Sequence, residues 1–169
     1  LEDGSLGLSY VLLDDTLARL SSEVDELGLS GADPVAVARR YGSDAGLWKT
    51  VGFAAANALT RCLFDRAGFR PDDSTDSIGQ MTPRPEDHIG MIGLFTPLIG
   101  RILATGARLT VVELKAELVG SSDGYRVTLD PGALADCTKV ISTSTLLLND
   151  TLDRMLACCH QARWFAMVG

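Results

Sequence analysis

Aromatic residues are scarce in this chain: Phe, Trp and Tyr make up 6% of it, although 46% is hydrophobic. The apolar content is therefore carried by small and aliphatic side chains, which suits closely packed helix and sheet layers and argues against an aromatic-rich sandwich. Positive charge is also short. Fifteen Lys and Arg against 22 Asp and Glu leave a net charge of −7, spread along the chain without a tail of one sign, so a nucleic-acid partner is not expected. Cysteine pairs at metal-binding spacing are missing. The four cysteines, Cys62, Cys137, Cys158 and Cys159, form no C-x-x-C, which removes a closed cysteine zinc site. Adjacent cysteines on a helix cannot readily bond each other, so free thiols and a cytoplasmic location are expected. Long hydrophobic runs are absent too: the apolar stretch at residues 89–99 is about half the roughly 20 residues of a membrane span, so no membrane partner is expected. No basic-then-apolar signal opens the chain, and no repeat or low-complexity tract interrupts it.

What is present fills one ordinary domain or two small ones, since 169 residues can bury a real core. The start at Leu1 without Met, and the stop at Gly169 directly behind a strand-like WFAMV, lead to the expectation that the chain is part of a longer protein. GLSYVLLD at residues 7–14 reads as a strand of a hairpin. Asp15 or Thr16 is placed to cap a short helix, and Asp33-Pro34 is a cap and first-turn pair for another. From residue 45 to 64 the positions Leu47, Val51, Ala54, Ala55, Ala58, Leu59 and Cys62 follow the 3.6-residue helical period. Residues 70–86 hold three prolines and no apolar period, and so read as a mobile loop bordering a cleft. Beyond them IGMIGLF, RLTVVEL, TKVIST and RWFAMVG are short, nearly continuous apolar runs, the mark of strands buried on both faces of a parallel sheet. Thr96-Pro97 opens one intervening helix and Asn149-Asp150-Thr151 another, which runs to about Gln161. YRVTLDPGAL adds a hairpin strand and a turn. The expected fold class is α/β: a small α+β domain over residues 1–68, a linker or loop over 69–86, and a Rossmann-like parallel-sheet domain over 87–169.

The strongest local constellation is GMIGLFTPLIG, where a strand passes into a helix through Gly93, with Thr96 and Pro97 at the helix start. Exposed backbone N–H groups at such a start favour an anionic or polar ligand. The full G-x-G-x-x-G is not there. Glu113 ends the next strand twenty positions after Gly93, where an acid meets a ribose hydroxyl in dinucleotide folds; a solvated strand end is the bland alternative. STSTLLLNDT supplies Thr143, Thr145 and Asn149 at the carboxyl end of another strand, the edge where parallel sheets hold ligands, with helix capping as the alternative. Asn57 is the one amide on the Ala-rich helix and needs a partner if it faces inward, as an interdomain tie or a ligand contact. His88 is a candidate ligand or base without an H-x-x-E or H-E-x-x-H partner, and His160 reads as structural. No Ser-His-Asp order, P-loop or glycosidase-type carboxylate pair is discernible.

VGFAAANAL, HIGMIGLFTPLI, VVEL and STSTLLLNDTLDRML, in that order, resemble the putative heavy-metal chelation domain family. The likeness covers residues 46–169 well and 1–45 loosely. It implies an enolase-N-terminal-like first domain and a Rossmann-like second domain, the latter continuing beyond the last strand, so that a truncated C-terminus is expected here. It also implies a site in the interdomain cleft at Asn57, Gly93, Glu113, Thr143, Thr145 and Asn149, to which the helix start adds Thr96. The implied cofactor is a metal ion or metal complex; His88, Glu113 and Asp150 are the candidate metal ligands, and such oxygen and nitrogen donors suit a hard ion or a chelate better than a bare soft metal.

The leading expectation is thus a protein that handles a metal or metal complex. The alternative is an enzyme or regulator binding a nucleotide or S-adenosylmethionine-type ligand through the Rossmann-like half. A scaffold in which these motifs merely cap helices is the third reading. Whether a reaction is catalysed, and whether the chain forms a homo-oligomer, stay open.

Overall fold

Residues 1–72 and 77–169 are described by a computed structural model, and they divide into two units, Leu1–Pro71 and Asp72–Gly169. The first unit is helical. Asp33 opens the helix α2 (Pro34–Ser43) by accepting the Val35 N–H at 3.0 Å, with Pro34 pre-set in the first turn. Ahead of it lies α1 (Thr16–Glu23), whose N-cap Asp15 makes no side-chain capping bond. Behind it α3 (Gly46–Arg66) realises the Ala-rich helical period. The two longer helices approach closely at Gly52, where an added Cβ would collide with the Tyr41 backbone. Arg40 lies over the Trp48 ring at 3.3 Å from its centroid while also gripping Asp44 at 2.6 Å.

The strand expected at residues 7–14 does not form, and with it the α+β character of the first domain falls away: no strand occurs among residues 1–72. The segment runs extended along α3, so close at Gly7 that a Cβ there would overlap the backbone of Ala54 and Ala58. A β-strand is stable only beside another, and the described residues of this unit offer no second one. The Leu8 carbonyl is held instead by Asn57 Nδ2 at 2.8 Å. An enolase-like first domain is accordingly not confirmed.

In the second unit, six strands form one sheet in the order β3-β4-β2-β1-β5-β6. They are β1 (His88–Ile92), β2 (Arg108–Val112), β3 (Gly120–Ser122), β4 (Tyr125–Thr128), β5 (Lys139–Thr143) and β6 (Trp164–Val168). All neighbours are parallel except β3 with β4. The mixed α/β class and the parallel pairing of β1 with β5 therefore stand as expected. Successive residues face opposite sides of the sheet. Ile89, Met91, Val111 and Ile141 pack on one face with Ile99 and Ile102 of α5 (Thr96–Leu103). Ile92, Val112 and Val140 pack on the other with Leu134, Cys137, Leu146 and Met155 of α6 (Leu152–Cys158). Gly90 leaves space there for Leu134, one of whose methyls would lie 2.8 Å from an added Cβ.

Two expectations are corrected in this unit. Residues 70–86 contain a short helix, α4 (Ser77–Met81), which buries Ile78 and Met81 in the first face of the core; only two apolar residues, three apart between prolines and acids, were too few to reveal a period. Residues 73–76 of that loop lie outside the described residues. The helix after Asn149 also ends early, at Cys158, so His160 stands beyond it.

Candidate functional site at the carboxyl edge of the sheet

Chain connection reverses beside β1. From β1 the chain crosses to β2 on one side, and it later returns to β5 on the other. Such a switch point opens a crevice between the two loops that leave the carboxyl ends of the diverging strands. Those loops here are the turn at Gly93 and the segment Thr143 to Asn149.

Gly93 has φ +87, and an added Cβ would lie 3.2 Å from Thr143 Cγ2. Both the backbone conformation and the space therefore demand glycine. Its N–H donates to the Val112 carbonyl at 2.9 Å, continuing the pairing one residue past β1. Glu113 completes the junction. One carboxylate oxygen accepts the Leu94 N–H at 2.7 Å and the other accepts the Leu114 N–H at 2.9 Å, so the end of β2 is latched to the loop leaving β1. The structure brings Gly93, Glu113 and Thr143 together, and the part played by the Leu94 N–H, a backbone group, left no trace in side-chain motifs.

On the β5 side, Thr143 caps a short 3-10 turn at Ser144–Leu147 and shares a hydroxyl contact of 3.0 Å with Thr145. Asn149 Oδ1 accepts both the Thr151 N–H, at 3.2 Å, and its hydroxyl, at 2.6 Å. The Thr143 bond is a capping bond, as the bland alternative anticipated, whereas the Asn149 bonds close a turn ahead of α6, whose N-cap Thr151 makes no side-chain capping bond. The Asn149 bonds engage its Oδ1 and leave its Nδ2 buried without a partner, and an unmade buried donor costs about 1–3 kcal/mol. Thr96 is not the cap of α5: Phe95 occupies that position without a side-chain capping bond, and Thr96 is exposed in the first turn. The first N–H groups of α5 are thus uncapped by a side chain beside the Gly93 turn. Asn57 belongs to the first unit, where it ties α3 to Leu8.

His88 lies at the opposite, amino end of β1, four residues before Ile92. Its Nε2 is 2.9 Å from Thr110 Oγ1, and burial, reinforced by the nearby Arg108 charge, lowers its pKa. Beside it Asp87 is almost fully buried and meets Lys139 Nζ at 2.8 Å, Thr138 Oγ1 at 2.8 Å and the Arg84 N–H at 2.9 Å. Burial pushes the Asp87 carboxyl up, but these hydrogen bonds outweigh it and hold the carboxyl below its ordinary range. That end of the sheet is a strut between the loop before β1 and the start of β5.

The candidate metal ligands His88, Glu113 and Asp150 are therefore not brought together by the strands, and among the described residues no three His, Cys, Asp or Glu are placed to hold a metal ion. The thiols add nothing to the carboxyl edge. Cys137 is buried, and burial pushes its pKa up to about 12, while Cys159 is raised mainly by burial and Cys62 mainly by its hydrogen bond with Asp3. A bare ion does not fit this donor set, whereas a complex that brings its own ligands needs only hydroxyl, amide and backbone contacts.

Residues 76–169 match the family model DUF364, described as Putative heavy-metal chelation. The chain belongs to that family. Two solved structures of DUF364 proteins of unknown function share the fold. One, from Desulfitobacterium hafniense, has a TM-score of 0.65 at 21% identity over 85% of this chain and 57% of its own. The other, from Pyrococcus horikoshii, has a TM-score of 0.60 at 23% identity over 80% of this chain and 54% of its own. The chain thus spans little more than half the length of either DUF364 structure. No curated protein matches it. Among the described residues no helix is long and apolar enough to cross a membrane.

Proposed function

We propose that this DUF364 protein binds a small metal complex, one that supplies its own metal ligands, at the carboxyl edge of the parallel sheet. The observation that carries this reading is the junction itself: Gly93 packed against Thr143, with Glu113 holding the Leu94 N–H. It brings loops from β1, β2 and β5 to one place, and that place is the switch point of the sheet. Thr143, Thr145 and Asn149 supply polar contacts suited to the oxygen atoms of a chelator. The family's description agrees with a metal-related ligand.

A specific feature favours a second reading, a nucleotide or S-adenosylmethionine-type ligand. Glu113 stands at the end of β2 beside the β1 turn, the place of the ribose-binding acid in dinucleotide folds. Each of its oxygens keeps one lone pair beyond the backbone bond it accepts. Thermal shift with Ni2+, Zn2+, their citrate complexes, citrate alone, NAD and S-adenosylmethionine separates the two. Stabilisation by a metal citrate, beyond that given by citrate or metal alone, supports the first reading. Stabilisation by NAD or S-adenosylmethionine alone replaces it with the second.

A further inference from the structure

The amino edge of the sheet gathers two arginines that no ion pair among the described residues engages. In register, His88 of β1 stands beside Arg108 of β2, and Thr110 of β2 stands beside Arg126 of β4. Because side chains alternate, His88, Arg108, Thr110 and Arg126 share one face, and the two arginines are diagonal neighbours within reach of one another. Both are exposed at their residues, and among the described residues neither makes an ion pair. Each acts electrostatically on His88, as does Asp136 in the opposite sense. Lys139, on β5, is already neutralised by Asp87.

Like charges on neighbouring sheet positions repel. The chain carries seven more acids than bases, yet among the described residues none is ion-paired with these two guanidiniums. We propose that Arg108 and Arg126 clamp a small oxyanion of phosphate type, inorganic or esterified, on this face, with His88 beside it. Two guanidinium forks present only donors, in the planar geometry that matches phosphate oxygens. This site lies at the other end of the strands from Gly93 and does not depend on the reading of the carboxyl edge.

The probe is inorganic pyrophosphate, titrated into the protein by calorimetry at low ionic strength while the two histidine side chains are followed by NMR. Saturable binding is expected. Arg108→Ala and Arg126→Ala should each weaken it about tenfold, as loss of one charge-assisted pair implies, whereas Arg154→Ala, an exposed change on α6, should not. The bound anion screens the two arginines from His88, so the His88 titration should move upward and that of His160 should stay. Absence of saturable binding overturns the proposal, as does equal weakening by Arg154→Ala, unchanged affinity in an Arg108→Ala, Arg126→Ala double variant, or a His88 titration that does not move.

Discussion

The two ends of the parallel sheet are built from different chemistry. At the carboxyl edge the strands run out into glycine, hydroxyls and an amide, and the acid that ends β2, Glu113, spends its oxygens on backbone N–H groups. At the amino edge Asp87, Lys139 and Thr138 close on one another. The first arrangement fixes loop backbone and leaves polar atoms beside it, and the second ties one face of the strand starts with a satisfied ion pair. Position in a sheet, more than residue type, therefore decides what a charged side chain is for: an acid at one end latches a loop, and an acid at the other anchors a strand.

The contrast is broken most severely at Gly93. Gly93→Val places a β-branched side chain at φ +87 and within contact distance of Thr143, and it should cost about 2–4 kcal/mol of stability and abolish ligand-induced stabilisation, measured by urea unfolding and thermal shift. Asp87→Ala strands Lys139, whose side chain is only 16% exposed, together with Thr138. A loss of about 2–3 kcal/mol is expected, below the range for a fully buried pair, with any affinity at the carboxyl edge intact. A larger loss of ligand affinity than of stability would break the division of labour between the two ends.

Glu113→Gln sharpens it. The glutamine carbonyl can still accept the Leu94 N–H, but its amide then faces the Leu114 N–H donor to donor, so a stability loss of about 1 kcal/mol should accompany a loss of about 1–3 kcal/mol in ligand affinity. The smallest effect is one of pH. The His88 pKa in the folded chain lies below its ordinary value of 6.5, so the unfolded chain takes up the proton first. His88 thus adds stability that is fully present above that value and fades as pH falls below it. Urea midpoints at pH 7.5 and 5.5, each about one pH unit from the ordinary histidine value, should differ less in His88→Gln than in the parent chain.

The second unit was legible in the sequence because a parallel sheet buried on both faces writes continuous apolar runs: Ile89, Met91, Ile92, Val111, Val112, Val140 and Ile141 all end up buried. Capping was legible at Asp33, which accepts the backbone N–H two residues on at 3.0 Å, but not at Asp15 or Thr96, which make no capping bond. Ile78 and Met81 escaped notice because a five-residue helix carries too little periodicity. Residues 7–14 misled because alternation records only which side chains share a side of an extended backbone. Leu6 and Leu8, outward-facing here at 80% and 83% exposure, show that it does not supply the neighbouring strand. At the site, Gly93, Glu113 and Thr143 could be joined from strand order alone, whereas His88 was a candidate by residue type and was separated from Glu113 once the strand ends were fixed in space.

Amide chemical-shift mapping on the whole chain tests the central claim most directly. Titration with the metal complex that gives the largest thermal stabilisation should move the N–H signals of Gly93, Leu94, Thr145 and Asn149 together and saturably, and leave those of His88 and Lys139 in place. Saturable binding that leaves the Gly93, Leu94, Thr145 and Asn149 signals unmoved would contradict it, as would stabilisation by none of the metal complexes.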